Sequence, residues 1–382
     1  MDLCFIQMDK HQKINLLKLA IKYPQITKSK IGHWLNKKLK KTNDFPSLVR
    51  FFLFYGCNLR CKMCGQWGQK GTSKSDQIKN FLNIKKLKQL IDECEKYKPE
   101  IYIWGGEPTL HPDFAEFIKY VKLKKLTATI NTNGILLEKY ADDILNNKID
   151  SLDVSLIGPP AIHDTVVQVP GAFEKVMAGL ELISDKSKRY KYKPLIKAII
   201  TLNPDNLGDV EKLLYLIENH LAIDMSIVQL GWFTIQEIGK RYEKRMQTEF
   251  KISSLSWQGF QDEQASKQAE KIQQLIKDIR CNKKYKKPIL IFPNLKTKDI
   301  AKYYQNHQEL FNYKKCSAVN REIDIRHNGD VVVCADYPDY VIGNLNTQSI
   351  QEIWRGEKLK KFRKSIQKKL LPICPRCCGL FR

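Results

Sequence analysis

The sequence predicts an α/β fold built on a parallel sheet and followed by a small cysteine-rich C-terminal domain. Three observations carry this. Short apolar runs alternate with helical-period segments over residues 48–230. Glycine, asparagine and cysteine cluster where those runs end. Of the 11 cysteines, Cys316, Cys334, Cys374, Cys377 and Cys378 fall in the last part of the chain.

In chain order, strands are predicted at Leu48 to Tyr55, Ile101 to Trp104, Leu126 to Asn131, Ser151 to Leu156, Leu195 to Leu202 and Asp224 to Leu230, each a short run rich in β-branched, leucine or aromatic residues. Between them, apolar residues recur at helical spacing in Ile84 to Tyr97, Asp113 to Lys124, Leu136 to Asn146, Phe173 to Ile183 and Val210 to Asn219. Strand, helix, strand repeated in this way closes into parallel sheet through right-handed crossovers. Ligands then gather at the carboxyl ends of the strands. Residues 1–45 read as a basic helical extension around Leu16 to Leu19 and Ile31 to Lys41. Residues 46–232 are the α/β core, 233–315 a bridging region with a polar helix from about Gln261 to Asp278, and 316–382 the cysteine-rich domain.

The first strand runs into Cys57-Asn58-Leu59-Arg60-Cys61-Lys62-Met63-Cys64, a C-x3-C-x2-C spacing in which three thiolates converge on one metal centre. A [4Fe-4S] cube held by three protein thiolates keeps one iron open for another ligand, which is a catalytic arrangement. A structural zinc site wants four ligands in paired spacing, and the nearest histidine is His111. A disulfide framework belongs in a secreted chain. The segment Met1 to Ala20 has its apolar residues interrupted by Asp2, Asp9, Lys10 and Lys13, so it forms neither a signal h-region nor a membrane span, and a reducing cytoplasm is expected. One strand later, Gly105-Gly106-Glu107-Pro108 offers backbone that can approach a ligand closely and a carboxylate that can take an ammonium group, although the same four residues also make an ordinary turn.

Cys57-x3-Cys61-x2-Cys64 resembles the signature of the radical SAM superfamily, with Met63 where that family often has an aromatic residue. The resemblance implies that the open iron chelates S-adenosylmethionine, that an electron from the cube cleaves it to methionine and a 5'-deoxyadenosyl radical, and that the radical abstracts hydrogen from substrate. It implies a partial (β/α)6 TIM-like barrel as the α/β core. Gly105, Gly106 and Glu107 resemble the family's GGEP motif, and Asn131, Asn133 and Ser155 lie where further S-adenosylmethionine contacts are made. For Asn131, Asn133 and Ser155, a turn or a satisfied polar group inside the barrel is an equal reading. His163 and Asp164 read as structural turn residues.

The C-terminal constellation is Cys316, then Gly329 and Cys334 in a C-x12-G-x4-C pattern, then Cys374-Pro375-Arg376-Cys377-Cys378. His327-Asn328-Gly329-Asp330 reads as the turn of a hairpin joining Glu322 to Arg326 with Val331 to Cys334, which holds Cys316 and Cys334 near one another. Four thiolates here close around a second iron-sulfur cluster or a zinc ion. This part resembles the SPASM extension of radical SAM enzymes, including Ile342-Gly343-Asn344-Leu345 and the stretch Ser349 to Trp354. The resemblance implies one auxiliary cluster, expected as [4Fe-4S], on Cys316, Cys334, Cys374 and Cys377, with Cys378 the substitute for Cys377. The further cysteines that complete a second auxiliary cluster in the full domain do not follow. Cys4, Cys94 and Cys281 are isolated and read as buried thiols.

The formal charge of +24 raises RNA or membrane binding. Arginine, the residue favoured for phosphate forks, supplies 12 of the 65 basic residues, so the lysine runs read as solvated surface and a nucleic-acid partner is disfavoured. The leading expectation is a radical SAM enzyme acting on a peptide or protein, with an electron donor such as flavodoxin or ferredoxin. The alternatives are a dehydrogenase or epimerase on a sugar or cofactor precursor, RNA modification, and a non-catalytic zinc-binding interaction protein.

Overall fold

The computed structural model describes residues 10–24, 27, 44–67, 71 and 78–381. Its ten strands are β1 (Leu48–Phe54), β2 (Glu100–Gly105), β3 (Ala128–Thr132), β4 (Ser151–Ser155), β5 (Leu195–Thr201), β6 (Met225–Gln229), β7 (Ile289–Phe292), β8 (Glu322–Ile325), β9 (Asp330–Val332) and β10 (Val341–Asn344). They form one sheet in the order β10-β9-β8-β1-β2-β3-β4-β5-β6-β7. Every pairing from β8 through β1 to β7 is parallel, and β9 and β10 add an antiparallel hairpin edge.

All six predicted strands are present, and the sheet exceeds the prediction at both ends. β7 lies in the bridging region, where no strand was expected; its run Ile289-Leu290-Ile291-Phe292 is short and bounded by Pro288 and Pro293. β8 was expected only as one arm of a hairpin. It also pairs in parallel with β1, Leu48 opposite Glu322 and Phe51 opposite Ile325, so the cysteine-rich segment continues the sheet. The polar helix predicted over 261–278 is displaced, running Ala269–Cys281 after a short 3-10 turn at Ala265–Gln268. Cys281, expected to be buried, is exposed, whereas Cys94 is buried as expected. Cys4 and the helical segment predicted for residues 31–41 lie outside the described residues.

Alternation along the strands separates two faces. Val49, Phe51, Ile101, Ile103, Ile130 and Val154 are buried on the face that the helices cover, with Phe51 meeting Phe117 edge-on at 5.3 Å. Each such side chain contributes roughly 1.5–3 kcal/mol on burial. The covering helices Ile84–Glu95, Phe114–Leu123, Leu137–Asn146, Ala172–Tyr190 and Val210–Asn219 follow the predicted positions, the fourth extended by two turns.

The β7 edge is not left bare. An N-terminal helix, Lys10–Lys22, crosses it, and its Gln12 Oε1 accepts from Ile289 N at 3.0 Å while Asn15 Nδ2 donates to Lys286 O at 2.5 Å. Side-chain amides thus occupy backbone groups that an exposed edge would offer to another chain.

Candidate metal and cofactor site

Cys57, Cys61 and Cys64 sit on the loop leaving β1, and three sets of contacts fix that loop. Its backbone bonds the helix Pro160–Val167, Arg60 N donating to Val167 O at 3.1 Å and Lys62 N to Val166 O at 2.9 Å. Leu59 packs with Ile157, Val166, Val167 and Ala172 in a small apolar cluster, against which Cys57, Cys61 and Met63 lie. The third set comes from the end of β2: Gly106 N donates to Phe54 O at 2.9 Å and Glu107 N to Gly56 O at 2.8 Å. A Cβ on Gly106 would stand 2.4 Å from the Gly56 carbonyl oxygen, so glycine is required there by the approach of two backbones.

Glu107 is fully buried. Its Oε1 accepts from Thr109 N at 3.1 Å, Thr109 Oγ1 at 2.6 Å and Thr132 Oγ1 at 2.8 Å, and its Oε2 from Asn133 N at 2.7 Å. Burial pushes its pKa up and these donors oppose the shift. The carboxylate therefore ties the β2 turn to the end of β3. Asn133, so placed, donates through Nδ2 to Asn58 Oδ1 at 2.7 Å and approaches Cys57 Sγ at 3.8 Å. Gly105, Gly106, Glu107 and Asn133 are accordingly gathered around the cysteine loop, as the sequence predicts.

The three thiols are partly desolvated and feel one another's charge. Burial pushes Cys57 up to about 11, with charge on Glu107 and Cys64 adding. It pushes Cys61 up to about 12, with Cys64 and Cys57 adding. Cys64 is raised mainly by burial. A bound cation relieves this mutual repulsion, so the donor set fits a metal cluster that takes thiolates.

Asn131 and Ser155 share one face near the carboxyl ends of β3 and β4. Ser155 ends β4 opposite Ile199. Asn131 lies one inward position below Asn133, its Nδ2 donating to Tyr102 OH at 2.9 Å, and Tyr102 OH donates to Asp153 Oδ2 at 3.1 Å. Lys197 Nζ stands 2.6 Å from Asp153 Oδ1. On β1, β2 and β8 the same face carries Arg50, paired with Glu322 at 3.3 Å, and Trp104, whose Nε1 donates to Asp324 Oδ2 at 2.9 Å. Burial raises Asp324 to about 6 while the Arg326 and Arg50 charges oppose the shift. The face of the sheet turned away from the helices is thus lined with paired charges, a surface that can hold a polar substrate.

His163 and Asp164 lie in the helix Pro160–Val167 and not in the turn expected, but their contacts are structural. Asp164 accepts from Gly171 N at 2.6 Å and Phe173 N at 2.9 Å. His163 Nδ1 accepts from Ile157 N at 3.2 Å, and burial lowers its pKa from 6.5 to about 4. Its folded-state pKa lies below the unfolded value, so its contribution is complete above pH 6.5 and lost as pH falls toward about 4. We expect the unfolding free energy read from denaturant titration to fall over that window, by at most about 3 kcal/mol from this residue, and the fall to shrink in His163→Gln.

The C-terminal thiols share a second site. Cys316, Cys334, Cys374, Cys377 and Cys378 line one cavity. The hairpin brings this about: Arg326 N donates to Asp330 O at 2.7 Å and Gly329 takes a positive φ of 90°, which folds Cys334 back toward Cys316. Burial raises Cys374 to about 12, with Cys316 adding, and drives Cys334 well above its ordinary value, with Cys374 and Cys316 adding. Five thiols around one cavity fit a cluster. Asp336 also lines it, two residues beyond Cys334. It was not picked out from the sequence, where only its nearness to a cysteine could have flagged it.

The sequence model of the Radical SAM superfamily matches residues 51–217, and that of SPASM, an iron-sulfur cluster-binding domain, matches residues 316–378. An AdoMet-dependent heme synthase of Methanosarcina barkeri is 34% identical over 141 residues, 36% of this chain and 39% of that one. The chain spans less than half the length of that relative. The tungsten-containing aldehyde ferredoxin oxidoreductase cofactor-modifying protein of Pyrococcus furiosus is 24% identical over 347 residues, covering 84% of both chains. Among solved structures, Streptococcus suis SuiB bound to precursor peptide SuiA shares the fold with a TM-score of 0.60 and 16% identity, over 90% of this chain and 73% of that one. The partial barrel and its C-terminal extension are thus an established architecture, and the chain belongs to the radical SAM superfamily, with a SPASM domain following the barrel.

Proposed function

We propose that this chain generates a radical from S-adenosylmethionine and uses it to take hydrogen from a peptide or protein. The observation that carries the reading is the Cys57, Cys61 and Cys64 loop bonded to Gly106, Glu107 and Asn133 at the carboxyl ends of β1, β2 and β3. In this reading Cys57, Cys61 and Cys64 hold a [4Fe-4S] cluster and Cys316, Cys334, Cys374 and Cys377 or Cys378 an auxiliary one. When bound, the first cluster and S-adenosylmethionine supply the reducing electron and the hydrogen-abstracting radical. The chain's own part is placement. Glu107 holds the β2 turn and Asn133 in register with Cys57, and the Gly105-Gly106 backbone and Asn133 side chain would contact S-adenosylmethionine. The face bearing Arg50, Tyr102, Asp153 and Lys197 orients the substrate beneath it. A flavodoxin- or ferredoxin-type donor, and hence the cytoplasm, supplies the electron; no helix among the described residues is long and apolar enough to cross a membrane.

A peptide substrate is supported by the shared fold of SuiB, solved with a precursor peptide. A second reading, modification of a cofactor or another small molecule, is favoured by the cofactor-modifying relative that aligns along 84% of both chains. The test is anaerobic incubation of reconstituted, reduced protein with S-adenosylmethionine. We expect 5'-deoxyadenosine to form, and to form faster with a short peptide encoded beside the gene, which loses hydrogen in the process. Stimulation by a porphyrin or pterin precursor and not by peptide would establish the second reading. No 5'-deoxyadenosine from cluster-loaded protein with either class would overturn both.

A further inference from the structure

Resting on the reading that the C-terminal thiols hold an auxiliary cluster, we propose that Asp336 is a ligand of that cluster, its carboxylate serving the fourth iron in exchange with a thiolate of the Cys377-Cys378 pair. A four-iron cube held wholly by protein takes one terminal ligand per iron. Cys316, Cys334 and Cys374 line the cavity from separate segments and account for three of these. The remaining corner is oversupplied. Asp336 Oδ2 lies 2.9 Å from Cys378 Sγ and 3.9 Å from Cys377 Sγ, and the three donor atoms all lie within 4.8 Å of one another. Among the described residues this is the one group of three or more potential metal ligands so closely gathered.

Chemistry separates the three donors. Thiolate is a soft ligand that iron-sulfur irons prefer, whereas carboxylate is harder and exchanges more readily. An iron offered both can keep a protein ligand while one thiolate is displaced. The fold supplies the carboxylate for this purpose in a way that the two adjacent cysteines cannot: Asp336 comes from the loop after β9, two residues beyond Cys334, and meets Cys378 across 42 residues of sequence. Ligand exchange at this corner would make the iron accessible to a substrate group without releasing the cluster.

The test uses full-length holoprotein carrying Cys57→Ala, Cys61→Ala and Cys64→Ala, so that only the auxiliary cluster contributes signals. Aspartate labelled with carbon-13 at the side-chain carboxylate is incorporated, and the reduced cluster is studied by electron-nuclear double resonance. We expect a carbon-13 hyperfine coupling that Asp336→Ala abolishes while four irons per cluster remain. We also expect the Cys377→Ala, Cys378→Ala form to retain four irons and show the coupling at full strength, and to fall to a three-iron signal on addition of Asp336→Ala. Absence of the coupling in the otherwise unaltered protein, with the four-iron signal present, overturns the assignment even if the double variant does not fold. Absence of any auxiliary iron in that protein overturns the underlying cluster reading as well.

Discussion

Cys57→Ala, Cys61→Ala and Cys64→Ala together are expected to remove about four iron atoms and four sulfides per chain and to bring 5'-deoxyadenosine formation below detection, while the auxiliary cluster stays in place. The effect is total because the three thiolates are the protein's only hold on that cluster in the proposed reading. The fold should survive. The loop is kept in position by backbone bonds to Val166 and Val167, by the packing of Leu59 with Ile157, Val166, Val167 and Ala172 and by Glu107 N to Gly56 O, none of which uses a thiol. The second site lies on the C-terminal segment and shares no ligand with the first. Iron and sulfide analysis with circular dichroism checks the first part, and chromatography of the reaction mixture the second. Retained cleavage by folded triple variant would refute the assignment of these cysteines.

Glu107→Ala should be the most damaging substitution that touches no thiol. It leaves Thr109 N, Asn133 N and the Thr109 and Thr132 hydroxyls without their acceptor in a site closed to water. An orphaned buried donor costs about 1–3 kcal/mol. With the cavity and with sharing among neighbours, the total expected is about 3–5 kcal/mol. The damage is also directional, because Asn133 N is released and Asn133 is what reaches Asn58 and Cys57. We expect Glu107→Ala to lower the denaturant midpoint and to reduce cluster occupancy. Glu107→Gln keeps the volume and one carbonyl oxygen and should lie between. Equal stability of Glu107→Ala and the unaltered protein would show that the carboxylate is not the tie that the hydrogen bonds describe.

Glu107 also shows where sequence reasoning stops. The Gly-Gly-Glu-Pro run was visible, and so was its neighbourhood, because the strand before it and the cysteine loop are one crossover apart. Its partners were not. The sequence suggested a carboxylate facing a ligand; the structure adds Thr109, Thr132 and Asn133 as its donors, the last two one β-unit further on. The cysteine loop was legible because its three cysteines lie within eight residues of one another, so local spacing is nearly geometry. Asp336 was not, because its meeting with Cys378 depends on a hairpin and two intervening helices. The same distinction explains the sheet. β1 to β6 follow from local alternation of apolar periods, which survives in sequence. β7 was too short to separate from a loop, and nothing local to Glu322–Ile325 says that it will lie beside β1.

That last pairing bears on how the chain comes to be folded at all. The strand made first among the ten, β1, is flanked in the finished sheet by β8, separated from it by more than 270 residues (322 minus 48). While the chain is emerging, β1 therefore has one open side, with the backbone of Leu48–Phe54 unpaired there, until the cysteine-rich segment arrives. Contacts of such long sequence separation form slowly. A nascent or truncated chain lacking residues 316–382 would therefore present an open strand edge directly below the first cysteine loop.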